Sequence, residues 1–343
     1  MRGTDYGRPT LQKETAGEIL MIATGQPVSR SHRLRRRLRH GDVPFRLLAA
    51  AFAFVVVALL VAIVGVAWDG SAAAREVFGL RFLTRTAWNP VAGEFGALPA
   101  IYGTIVSSAI ALLLAAPPGI MIGIFLSDLS PTRLRGPLSL MVELLAAIPS
   151  VVYGMWGIFV FIPFFRGAIA EPVSRALGDT VPFLAGPVTV GRGLLVAGII
   201  LAIMILPTIA AVSRDVLSVV PTHQREALLA LGATRWEVIR HALLPYARAG
   251  IVGGMMLGLG RALGETMAAT MVIGNTPRID PSLFQPATTA ASLIASQLPT
   301  TNTELHSSAL VYLALVLFLI TLLANSIARL LVWRVAGAAW RRR

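Results

Sequence analysis

Six stretches of the chain stay apolar for long enough to cross a hydrocarbon layer of roughly 30 Å. Leu47–Trp68 runs 22 residues without a charge, and Ala97–Leu126 is also uncharged, with Pro117-Pro118 near its end marking a kink or an exit point. Pro137–Phe165 carries Glu143 and Pro149, and Gly193–Val212 holds Pro207. Ala249–Gly274 contains Arg261 and Glu265, and Ala309–Ile327 is closed by Arg329. This pattern predicts an all-α membrane protein with six transmembrane helices. Spans two and three exceed the length required, so each tilts or includes interfacial turns.

Composition agrees. Of 343 residues 55% are hydrophobic and 14% charged, where soluble domains run at about 45–50% and about 25%. A lone soluble enzyme, a disulfide scaffold and a disordered chain are excluded. There is no cysteine, hence no disulfide, thiolate nucleophile or Cys-based metal site. The single lysine, Lys13, precedes Glu14, so no GK[ST] step exists to cradle a nucleotide phosphate. Energy for any work must come from an ion gradient or from another chain.

The net charge of +13 is distributed by topology. With a cytoplasmic N-terminus, 22 basic residues fall inside and seven outside (Arg75, Arg81, Arg85, Arg166, Arg175, Arg192, Arg278), with Arg261 in a span. Positive-inside bias therefore places both termini in the cytoplasm, and nucleic acid is not expected as a partner. Residues 1–44 form a cytoplasmic tail whose arginines (Arg30 to Arg39) anchor to anionic lipid. A twin-arginine export signal fits less well, because the first span is too long for a cleaved apolar region of roughly 7–15 residues. The remaining organisation is 45–96 for the first helix and its outer loop, 97–332 for a five-helix domain, and 333–343 for a C-terminal cytoplasmic tail. The outer loops at 69–96, 166–192 and 275–308 are longer than connectors; they either dock an extracytoplasmic partner or lie on the membrane as interfacial helices.

The cytoplasmic loop 213–248 reads as two short helices around a corner. Pro221 suits a first helical position, Arg225–Leu231 is a helical run, and Gly232 suits a left-handed C′ position. Thr234-Arg235-Trp236-Glu237 is a capping box opening a second helix that runs to Pro245. Such a half-apolar element is either a knob for a partner's groove or a helix resting on lipid. The spacing of Glu226, Ala227, Gly232, Leu244 and Pro245 resembles the coupling motif of ABC importer permeases, with departures at Leu228 and Ala242. That resemblance implies a coupling helix inserted into an ATPase subunit.

In the fifth span, at about 100° per residue, Gly250, Gly254, Gly258, Arg261 and Glu265 share one face within roughly 40°. The three glycines let a second helix approach closely, and Gly260 with Gly264 adds a neighbouring stripe. Arg261 and Glu265 are either a buried i,i+4 ion pair or a polar feature of a translocation path, where guanidinium can hold an oxyanion bidentately. The spacing of Gly258, Gly260 and Gly264 is wrong for a dinucleotide fingerprint.

The run Gly260-Arg261-Ala262-Leu263-Gly264-Glu265-Thr266-Met267-Ala268, followed by Ile273-Gly274-Asn275-Thr276, resembles the PstC-type permeases of phosphate ABC importers. Tyr102-Gly103-Thr104-Ile105 and the stretch Glu143–Gly154 agree, and the resemblance covers roughly residues 95–332. It implies the type I importer permease fold in the cytoplasmic (inner) membrane, phosphate as the solute, and no enzymatic activity on this chain. It also implies a second permease of PstA type, a PstB-type ATPase dimer carrying the ATP and Mg, and a PstS-type extracytoplasmic phosphate-binding protein. Arg261 and Glu265, with Thr266 beside them, are implicated in transport. Glu143 is either part of the path or a helix-start carboxylate. Another oxyanion as solute, or a proton-coupled secondary transporter using Glu265 or Glu143, are the competing readings. The five histidines show no metal-ligand spacing, and of six tryptophans only Trp156 is expected inside the protein.

Overall fold

A computed structural model describes residues 42–340 apart from Pro187 and Thr189. The arginine cluster of the N-terminal tail and residues 341–343 lie outside the described residues. Two units are distinguished, Met1–Gly65 and Val66–Arg343. In the first, helix α1 (Asp42–Gly70) is under way by Asp42, inside the stretch expected as tail, and the side chains from Pro44 to Ile63 are all exposed.

Among the described residues six helical segments are long and apolar enough to cross a membrane: Pro44–Gly70, Leu98–Leu129, Ser150–Leu177, Leu194–Ser218, Arg235–Gly264 and Glu304–Arg334. The number matches the sequence pattern, while several boundaries move for identifiable reasons. After α2 (Ala72–Phe78), α3 (Leu98–Ile124) passes straight through Pro117-Pro118 and finishes in a π turn at Phe125–Leu129. Of the kink or exit expected there, the exit is not made. Beyond the prolines, Gly119 and Gly123 lie so close to the fourth span that an added Cβ would sit 3.0 Å from Ile209 Cγ2 and 2.6 Å from Ser213 Cβ. Tertiary packing holds the helix where local propensity would release it.

The third span does not begin at Pro137. Helix α4 (Thr132–Ala147) is a separate element with no buried residue. It ends because Pro149 excludes the helical region at the residue before it, and Ile148 takes ψ 129. The span then starts with α5 (Ser150–Trp156) and runs through two π turns, α6 (Ile162–Phe165) and α7 (Glu171–Leu177).

The fourth span, α8 (Leu194–Ser218), is the most enclosed and builds the main core through Leu194, Ile200, Leu201, Met204, Ile205 and Ile209. The loop after it folds into α9 (Thr222–Ala230) and α10 (Arg235–Val238). Pro221 stands one place outside α9, as its N-cap with ψ 133. The second loop helix does not stop at Pro245. A π turn at Ile239–Leu243 leads directly into α11 (Leu244–Gly264), and the helix is carried on through that proline. Arg235–Gly264 is thus one continuous rod.

That rod ends ten residues earlier than the apolar pattern predicts. Glu265 leaves the helix with ψ 121, and α12 (Met267–Val272) starts afresh. Gly264 is a weak helix former, and the Glu265 carboxylate turns to accept the Ala268 N–H (3.2 Å). After α13 (Ala290–Gln297), the last helix α14 (Glu304–Trp340) extends through the segment expected as a C-terminal tail as far as Trp340.

Residues 66–96 belong to the same unit as the rest of the chain from Val66 onward. Phe78, Phe82, Trp88 and Phe95 close over α13 and α14 in a second core. Trp88 Nε1 donates to Gln297 Oε1 (2.8 Å), which His306 Nε2 also meets at 3.1 Å. Trp88 is therefore enclosed, whereas Trp156, expected inside, is 41% exposed.

Candidate translocation path and partner-facing loop

The break at Glu265-Thr266 decides the chemistry of the fifth span. On one continuous helix Arg261 and Glu265 would be neighbours; with Glu265 extended, they form no ion pair with each other. Arg261 Nη1 donates instead to Thr208 Oγ1 on the fourth span (3.3 Å). Among the described residues no carboxylate pairs with Arg261 and no other hydrogen-bond partner meets it. A guanidinium has five N–H donors, so most of them remain available. A half-buried arginine in an apolar span costs at least about 2.5–3.5 kcal/mol on insertion scales, and one hydroxyl offsets little of that.

Downstream the polar groups are occupied mainly by the local backbone. Thr266 Oγ1 donates to the Gly264 carbonyl (3.3 Å) and Thr270 Oγ1 to that of Thr266 (2.6 Å). Asn275 sits at φ +50 and its Nδ2 donates to Thr270 O (2.8 Å), while its Oδ1 is buried without a partner.

Glu143 is not brought to Arg261. It lies on α4 and pairs with Arg214 Nη1 at 2.9 Å, and Arg214 also holds Asp215 at 2.7 Å. The Arg214 side chain is 16% exposed and that of Glu143 54%. This is a tie between α4 and the end of the fourth span.

The glycines separate into two groups. A Cβ at Gly250 would overlap Val216, one at Gly254 would lie 2.9 Å from Val212 Cγ1, and one at Gly258 3.0 Å from Ile209 Cγ1. These three let α11 lie directly on α8. The stripe expected from Gly260 and Gly264 is not made: Cβ atoms there would meet Asn325 Oδ1 at 3.6 Å and nothing within 4 Å, respectively.

In the loop, Gly232 adopts φ +84 and completes a Schellman end for α9. The Ala233 N–H reaches Leu228 O (3.0 Å) and the Gly232 N–H reaches Leu229 O (2.9 Å). The Thr234–Glu237 capping box is formed in both directions. Glu226, Ala227 and Gly232 share this exposed corner with Leu229, Leu231 and Trp236. Leu244 and Pro245 lie apart, on the α11 rod, with Leu244 packed into the apolar cluster of Leu217, Val238 and Leu243.

Thr208, Arg214 and Asp128 escaped the sequence reading. Asp128 carried a signal that could have found it, since a carboxylate in the last turn of a helix opposes the macrodipole and so calls for a cation. The structure supplies Arg225. Among the described residues no cluster of three or more potential metal ligands occurs.

Residues 119–337 match the family described as binding-protein-dependent transport system inner membrane component. The chain is 47% identical over 304 residues to the phosphate transport system permease protein PstC of Mesorhizobium japonicum, covering 88% of this chain and 92% of that protein. It is 46% identical over 303 residues to the protein of the same name in Pasteurella multocida, covering 87% and 94%. Among solved structures, an inward-facing MetNI methionine ABC transporter chain aligns with TM-score 0.50 at 20% identity, covering 70% of this chain and 94% of that one. At that identity the likeness concerns the fold alone.

Proposed function

The chain belongs to the family of binding-protein-dependent transport system inner membrane components, and from that premise we propose that it is the permease subunit that carries inorganic phosphate inward in an ATP-driven importer. The observation that carries the substrate is the 46–47% identity, over most of both chains, to proteins named phosphate transport system permease. The site suits an oxyanion, because Arg261 holds a single neutral partner and keeps donors free inside an apolar span.

In this reading both termini are cytoplasmic, and the exposed corner at Glu226, Ala227 and Gly232 docks a partner ATPase of PstB type, on which ATP and magnesium bind. A PstA-type permease and a PstS-type extracytoplasmic phosphate-binding protein complete the assembly. Closure of the ATPase pair moves the loop at 221–245, and spans three to five tilt between inward- and outward-open arrangements. Arg261 meets the phosphate in transit. Glu265 and Thr266 keep the α11 rod broken beside it, and Glu143 serves α4 from outside the path.

Radiolabelled phosphate uptake tests this in a strain lacking the gene, complemented with wild type or Arg261→Ala, with sulfate as competitor. Wild type restores uptake insensitive to sulfate; Arg261→Ala reaches the membrane and restores none. Uptake by the variant equal to wild type would remove Arg261 from the path, and inhibition by sulfate would move the substrate to another oxyanion.

A further inference from the structure

Helix α9 has no buried residue, yet it is the element offered to a partner. Its attachment to the membrane-spanning body runs through the half-buried Leu228 and through Arg225. Arg225 Nη1 binds Asp128 Oδ1 at 2.9 Å, and Nη2 donates to the Leu217 carbonyl at 3.1 Å. The Arg225 and Asp128 side chains are 22% and 15% exposed, so the pair is well shielded from solvent. One guanidinium thereby joins three elements: the loop helix, the π turn closing the second span, and the final turn of the fourth.

Each contact is placed where a helix end needs it. The Leu217 carbonyl, at the end of α8, also accepts the Val220 N–H (3.3 Å), and the negative end of the helix dipole there favours a cation. Asp128 sits at the C-terminal end of the second span, where a carboxylate is unfavourable unless compensated. Spans two and four are themselves locked, with Gly123 against Ser213 and Gly198 against Ile110. A displacement of α9 therefore reaches, through Arg225, the fourth span, one of those that tilt in the reading above, and with it the second span packed against it.

We propose that Arg225 is the positioning residue that passes movement of the loop helix to spans two and four, and that its ion pair with Asp128 couples ATP hydrolysis to solute movement. This rests on the reading above, in which a partner ATPase docks at the loop. Exposed Leu229, Leu231 and Trp236 point to solvent for docking, while Arg225 points inward.

The test uses the complete importer, with both permeases, the ATPase and the phosphate-binding protein, reconstituted in vesicles. Phosphate moved per ATP hydrolysed is measured for wild type, Arg225→Ala, Arg225→Lys, Asp128→Asn and the swap Arg225→Asp with Asp128→Arg. Arg225→Ala and Asp128→Asn are expected to keep the ATPase bound and to lower that ratio at least roughly fivefold, the low end of coupling between linked sites. Arg225→Lys, a point charge without the fork, falls between them and wild type, and the swap recovers part of the loss. An unchanged ratio in the single variants, no recovery in the swap, or loss of the ATPase from Arg225→Ala would each overturn the proposal. Hydrolysis without phosphate movement in wild type would instead overturn the transport reading, and this proposal with it.

Discussion

Segments 71–97 and 219–238 treat their aromatic side chains in opposite ways. All four aromatic rings of the first are turned inward: Phe82 is 0% exposed and Trp88 8%. Phe82 stacks on Tyr312 with centroids 4.5 Å apart, and Trp88 meets Phe95 edge-on at 5.1 Å. The second leaves its one tryptophan, Trp236, 62% exposed and Leu231 83% exposed. Both segments mix polar and apolar residues, so composition does not separate them. What separates them is what lies opposite: α13 and α14 cover the first, and no described residue covers the corner of the second. The aromatic cluster of the first is closed, and the corner of the second is open.

The comparison breaks first at Trp88. In Trp88→Ala a ring is lost from a closed cluster and Gln297 loses its indole donor. We expect a cost of about 3–5 kcal/mol, read as a lower thermal midpoint of the purified protein in detergent. An unchanged midpoint would show that the cluster is not a closed core. Gly232→Ala should cost less, about 1–2 kcal/mol, because an alanine there is strained by a positive φ while open space surrounds its Cβ. The effect should stay local. Amide exchange over Thr222–Ala230 should quicken roughly 5–30-fold with the midpoint unmoved, and unchanged exchange would argue against the Schellman end. Trp236→Ala should change stability least, within about 0.5 kcal/mol for so exposed a side chain, yet reduce retention of the partner ATPase through purification. Full retention together with a lowered midpoint would make Trp236 a core residue and erase the contrast.

The corner around Gly232 was legible in full, since a Schellman end and a capping box are set by residues within a few positions of each other. The number of spans was legible for a similar reason: twenty apolar residues in a row have one common solution in lipid. The site at Arg261 was legible only in part. Its presence on the face shared with Gly250, Gly254 and Gly258 follows from helical period, and that face does meet the fourth span. Its pairing does not follow, because i,i+4 neighbours meet only while the helix continues.

What the sequence by itself determined is therefore local and periodic: six spans, the folded corner of the loop, and the close-packing face of the fifth span. Periodicity and capping act over one to three turns, and a reader of the chain can apply them directly. What the tertiary structure decided is where helices continue or stop and which charges meet. Pro117-Pro118 is carried through by packing on the fourth span, and Pro245 by a π turn. Glu265 turns away from Arg261, Glu143 meets Arg214 across 71 positions, and Arg225 reaches back to Asp128. Those outcomes rest on contacts between residues remote in the chain, whose energies match or exceed local propensities of about 1 kcal/mol per residue and leave no mark in any short window of sequence.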